Sequence, residues 1–120
     1  MKHFTVLLFA LLSASMFAQA PVESEDVMLQ GFYWNSQKQT GWTQLAEQAD
    51  EIGKNFTLVW LPPSASAEGG GAVGGSNVGY HPRQWNNQTS CWGTAENLKS
   101  LIATLHHNGV KVLADIVVNH

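Results

Sequence analysis

A length of 120 residues accommodates one small domain or part of a larger one. Hydrophobic residues make up 44% and charged residues 12%, a globular balance that argues against a disordered chain. The net charge is -3 and the six Lys and Arg are scattered, so no basic patch is available to grip a nucleic acid.

The N-terminus reads as a secretory signal peptide over residues 1–20. Met1-Lys2-His3 is a short basic start, Phe4 to Leu12 is apolar apart from Thr5, and Ala18-Gln19-Ala20 matches the A-x-A cleavage pattern. Pro21 would become the new N-terminus, which disfavours cleavage at that bond and leaves the precise site open. The apolar run is shorter than the roughly 20 residues that span a bilayer. A secreted or periplasmic protein with no stable membrane span is expected.

Val27-Met28-Leu29-Gln30-Gly31-Phe32-Tyr33-Trp34 has the aromatic and apolar texture of a first strand. Trp42, Leu45, Ala49 and Ile52 then recur at helical spacing, and Gly53 followed by Asn55 predicts the stop of that helix. Phe56 to Leu61 is a second strand, ended by Pro62-Pro63. Residues 62–93 form a long loop, of the length that is functional when it occurs inside a compact domain. Its Gly-rich half, Ser64 to Asn77, reads as a flexible flap, and Val78 to Trp85 reads as an ordered, site-forming segment. Thr94 is the predicted N-cap of a second helix, whose apolar stripe is Leu98, Leu101, Ile102 and Leu105 and whose end is Gly109.

The closing run, Val112-Leu113-Ala114-Asp115-Ile116-Val117-Val118-Asn119-His120, shows no polar–apolar alternation. It therefore predicts a parallel strand buried on both faces. Strands separated by helices predict an α/β fold with a parallel sheet. Three strands and two helices cannot cover such a sheet on both faces, and a closed barrel needs about 250 residues. The expected architecture is the N-terminal part of a (β/α)8 TIM barrel, its first three β-strands and two helices, over residues 21–120.

The chemistry-bearing residues are few. Of nine acidic residues only Asp115 falls on a predicted buried strand, where an ionised carboxylate needs a partner. An Arg or a sugar hydroxyl would make it an active-site support, and a structural ion pair is the plain alternative. No facing pair of carboxylates is visible, so no catalytic residue is assigned within these 120. Asn119 offers a hard amide oxygen of the kind calcium takes, or it is simply a turn residue. His120 can hydrogen-bond a hydroxyl, and Tyr80 can stack on a sugar or pin the loop. Five Trp suit either a core or sugar stacking. His81, His106 and His107 lack zinc-ligand spacing. Cys91, the single cysteine, has no disulfide partner in the chain.

In order along the chain, Leu29-Gln30-Gly31-Phe32-Tyr33-Trp34, Val59-Trp60-Leu61-Pro62-Pro63, Val78-Gly79-Tyr80-His81-Pro82, Asn97-Leu98-Lys99-Ser100-Leu101-Ile102 to His106, and Asp115 to His120 resemble the α-amylase family, glycoside hydrolase family 13. The resemblance covers residues 27–120 and is similar above all to plant-like and bacterial members. It implies endo-hydrolysis of α-1,4-glucosidic bonds in starch or glycogen with retention of configuration, by a monomer acting on an α-glucan. It also implies that Tyr80 stacks on the sugar at the cleavage point, His120 hydrogen-bonds that sugar, Asp115 is a supporting carboxylate, and Asn119 is a ligand to a structural Ca2+. The family's nucleophile and acid come from later strands. Gly69 to Gly75 departs from the family pattern in length and glycine content. Another clan member (a maltogenic enzyme, an α-glucosidase or a transglycosidase) and a non-catalytic glucan-binding homologue are the competing readings.

Overall fold

A computed structural model describes residues 24–67 and 78–119. The signal-peptide segment, residues 68–77 of the glycine-rich half and His120 lie outside the described residues. The elements are β1 (Met28–Gln30), α1 (Gln37–Thr40), α2 (Trp42–Glu47), α3 (Ala49–Asn55), β2 (Leu58–Leu61), β3 (Ser66–Ala67), β4 (Pro82–Gln84), α4 (Ala95–His107) and β5 (Lys111–Ala114).

β1, β2 and β5 form one parallel sheet in that order, with Leu29 opposite Val59 and Val59 opposite Val112. This is the α/β arrangement expected from strands alternating with helices. β2 is central and alternates in burial: Val59 and Leu61 point into the core and Leu58 and Trp60 are half-buried. That alternation is the period-two signature of a strand with helices against one face.

The helical layer meets the buried face of β2. Trp42, Leu45, Ala49 and Ile52 are all buried, as their spacing predicts, and they share one core with Leu101 and Leu105 of α4. Burying a leucine fully contributes about 1.5 to 3 kcal/mol. The single helix predicted over this stripe is broken into α2 and α3 at Gln48, whose ψ of 0° departs from the helical value. α3 also runs through Gly53 to Asn55. Gly53 serves a different purpose from a stop: a Cβ there would lie 2.8 Å from the Asn108 carbonyl oxygen, so its bareness lets α3 approach the end of α4.

α4 follows the sequence closely. Thr94 caps it in a reciprocal box, its hydroxyl accepting from the Asn97 amide N–H while the Asn97 side chain accepts from Thr94 N–H. Such a cap contributes about 1 kcal/mol. Gly109, at φ +75°, ends the helix in the left-handed region.

One expectation is corrected. β5 spans four residues and is not buried on both faces; Leu113, Ile116 and Val118 are 46%, 67% and 79% exposed. β5 is the outer strand of its sheet, with β2 on one side only; Val112 packs against the core, whereas Leu113, on the opposite face, meets solvent. Within the long loop, β3 and β4 pair antiparallel, so the ordered segment expected from Val78 to Trp85 is tied back to Ser66–Ala67. None of the described helices is long and apolar enough to cross a membrane.

Candidate functional site

The C-terminal ends of β1, β2 and β5 converge with the Val78–Tyr80 segment. The position of that segment is set from below by aromatic packing. Trp92 is buried, packs edge-on against Phe32 at 5.8 Å between centroids, and donates its indole N–H to the Val78 carbonyl at 3.1 Å. The backbone there is contorted: Val78 has φ +45° and Gly79 φ +104°. Gly79 also sits against Pro63, where a Cβ would come within 2.6 Å of the carbonyl oxygen. Glycine at 79 is therefore a steric requirement, and it delivers Tyr80 to the sheet's edge.

Tyr80 donates its hydroxyl to Asp115 Oδ2 at 2.8 Å. Asp115 follows the last residue of β5, and its N–H continues the ladder to the Leu61 carbonyl at 3.3 Å. The sequence reading supplied Asp115 with an Arg, a sugar hydroxyl or an ion pair; its partner is a phenol. Burial, the hydrogen bond to Asp115 and the carboxylate's negative charge push the Tyr80 phenol up to about 12. Trp34 lies beside it, its ring 5° from parallel with that of Tyr80 and 6.1 Å away between centroids. Beside Asp115 opens a cleft of about 390 Å³, lined by Pro63, Gly79, Pro82, Trp85, Asp115 and Val117 among others.

Of the sequence-predicted site residues, the structure brings Tyr80 and Asp115 into contact. Asn119 is exposed, four residues along the chain from Asp115, and His120 lies outside the described residues. Among the described residues no cluster of three His, Cys, Asp or Glu could hold a metal ion. The oxygen of Asn119 suits a hard cation, but it is one donor where calcium takes about six to eight. Cys91 is half-buried and its thiol is pushed up, chiefly by burial, which does not suit a nucleophile. Sequence reasoning assigned no individual role to Trp34 or Trp92; their pairings are long-range and leave no local signal.

A family description, the α-amylase catalytic domain, matches residues 51–120. The chain belongs to the α-amylase catalytic-domain family. It is 38% identical over 97 residues to the chloroplastic alpha-amylase 3 of Arabidopsis thaliana, covering 79% of this chain and 10% of that protein. It is 36% identical over 106 residues to the cytoplasmic alpha-amylase of Escherichia coli, covering 78% of this chain and 20% of the relative. Among solved structures, a MutB mutant in complex with the substrate sucrose superposes with a TM-score of 0.67 at 23% identity, over 85% of this chain and 18% of that one. This last likeness shows the fold, the opening part of a (β/α)8 barrel. The chain thus spans a tenth to a fifth of the α-amylase relatives it matches.

The Tyr80–Asp115 bond carries a prediction. A phenol raised from 10.0 to about 12 in the folded state stays protonated while the unfolded chain ionises. Its contribution to stability is therefore complete below pH 10 and is lost as pH rises toward 12. In Asp115→Asn, removing the carboxylate charge should move the phenolate transition part of the way toward 10.0, leaving the contributions of burial and of the hydrogen bond that the amide oxygen still accepts. Ultraviolet absorbance titration against a Tyr80→Phe reference checks this, and an Asp115→Asn titration identical to the parent's would refute it.

Proposed function

We propose that the chain contributes the first three strands of the catalytic barrel of an exported α-amylase that hydrolyses internal α-1,4-glucosidic bonds with retention. The observation that carries this reading is the aromatic ring of Tyr80 held by Asp115 at the C-terminal edge of a parallel sheet, the edge at which barrels of this type build active sites. Family membership supports it. Tyr80 stacks against a sugar ring, Asp115 supports Tyr80, and His120 hydrogen-bonds the same sugar. The unpaired edge of β5 is the seam along which a further barrel strand pairs. The nucleophilic and acid carboxylates belong to those later strands; among the described residues Asp115 is the only acid lining the cleft. Residues 1–20 are the export signal.

Asn119 donates its side-chain oxygen to a structural calcium whose remaining ligands come from other segments. When bound, the ion adds stability through its preference for the folded state, about 2.7 kcal/mol at a hundredfold excess over Kd.

The test is made on the complete protein. With soluble starch, iodine staining should fall well ahead of reducing-end release, and the first product should carry the α anomer. Cleavage of sucrose or maltose with starch left intact would favour another clan member. Glucan binding without turnover would favour a non-catalytic homologue. In the same preparation a chelator should lower Tm, calcium should restore it, and Asn119→Ala should shrink the difference; a Tm indifferent to calcium would reduce Asn119 to a turn residue.

A further inference from the structure

We propose that Trp34 is a positioning residue for Tyr80, fixing the plane of the ring on which substrate stacks; this rests on the α-glucan reading of the site. The hydrogen bond from Tyr80 to Asp115 anchors the tip of the phenol without fixing rotation about the axis from Cβ to the hydroxyl. Tyr80 also packs against the core, but it is only partly buried. Trp34 adds the further restraint on the ring's plane: the two rings lie 5° from parallel with centroids 6.1 Å apart, an offset stack.

The backbone around Trp34 is built to hold it there. Trp34 is 54% exposed and lies outside the buried core, so burial does not account for its position. Asn35 adopts a left-handed φ of +67°, an uncommon conformation for a residue with a side chain. Ser36, fully buried, clasps the turn: its hydroxyl accepts from Tyr33 N–H at 2.9 Å and lies 2.7 Å from the Tyr33 carbonyl and 2.6 Å from the Thr40 hydroxyl. A tightly held turn thus presents a large apolar ring in solvent, against one other aromatic ring.

The test is a double-mutant cycle in the complete protein, with maltoheptaose as the substrate. Trp34→Leu should lower kcat/KM by roughly three- to tenfold, the range of one aromatic pair, with the larger part in kcat. Trp34→Phe, which can still stack, should recover most of the loss. In a Tyr80→Ala background, Trp34→Leu should have no further effect. An equal effect with and without Tyr80 would overturn the proposal, since Trp34 would then act through a contact of its own; so would Trp34→Phe behaving like Trp34→Leu. Near-ultraviolet circular dichroism reads the same cycle without turnover. The stacked pair should give an aromatic band that either single substitution abolishes and the double substitution abolishes no further. A parent that shows this coupling but cleaves no α-glucan defeats the functional reading and leaves the pairing intact. A parent that cleaves maltoheptaose with uncoupled variants defeats the pairing alone.

Discussion

Trp92→Ala is expected to cost about 3 to 5 kcal/mol of stability, the range for deleting a buried tryptophan. Trp92 is 2% exposed and packs against both Phe32 and Trp42, so its removal opens a void that the surrounding aromatic rings cannot close. The loss also strips the Val78 carbonyl of its indole donor. That carbonyl is part of the turn carrying Tyr80, so damage in the core reaches the site through a single hydrogen bond. Trp92→Phe separates the two contributions: it keeps much of the packing and loses the N–H, for about 1 to 3 kcal/mol. Urea unfolding of the complete protein measures both, and a Trp92→Ala loss below that of Trp92→Phe would contradict this account.

Gly79→Ala is expected to be nearly as harmful, for a different reason. At φ +104° a side chain is strained whatever space surrounds it, by about 1 to 3 kcal/mol. The new methyl would also come within 2.6 Å of the Pro63 carbonyl oxygen and 3.1 Å of Pro63 Cβ, adding an overlap cost of about 1 to 3 kcal/mol. Relief requires the segment to move away from Pro63, carrying Tyr80 off Asp115. Gly109→Ala is the control, because its φ of +75° brings strain but no heavy atom lies within 4 Å of the added Cβ. Thermal melts should therefore rank Gly79→Ala well below Gly109→Ala. Equal losses would show that the contact with Pro63 is unimportant.

What could be read in the sequence divides along the range of the interactions. α4 was legible because its signals are local: the Thr94 cap, the leucine stripe and the glycine after the last turn act within a few residues of each other. The parallel sheet was legible from the alternation of strands and helices. The stop read from Gly53 and Asn55 falls at Asn55, whereas the reason for the glycine itself, the Asn108 carbonyl against α3, comes from a distant part of the chain and leaves no local signal. β3 and β4, two and three residues long, are too short to leave a periodic pattern. The apolar texture of the closing run marked a strand, but not its extent or burial: β5 ends at Ala114, and Leu113, Ile116 and Val118 are exposed. At the site, Tyr80 and Asp115 were each singled out, whereas the bond between them and the stack with Trp34 exist only in three dimensions.

The strands of the parallel sheet are tied at both ends by different means. At their start, Asp26 accepts from the Thr57 hydroxyl at 2.9 Å and from Lys111 Nζ at 3.3 Å, joining the residues that open β1, β2 and β5 in one exposed polar clasp. Those two partners are also the foremost reason the Asp26 carboxyl sits below its ordinary range. At their finish stand Tyr80 and Asp115. The two rims share no residue, so a substitution at the clasp should change tolerance of acid or salt while leaving the Tyr80–Asp115 bond in place.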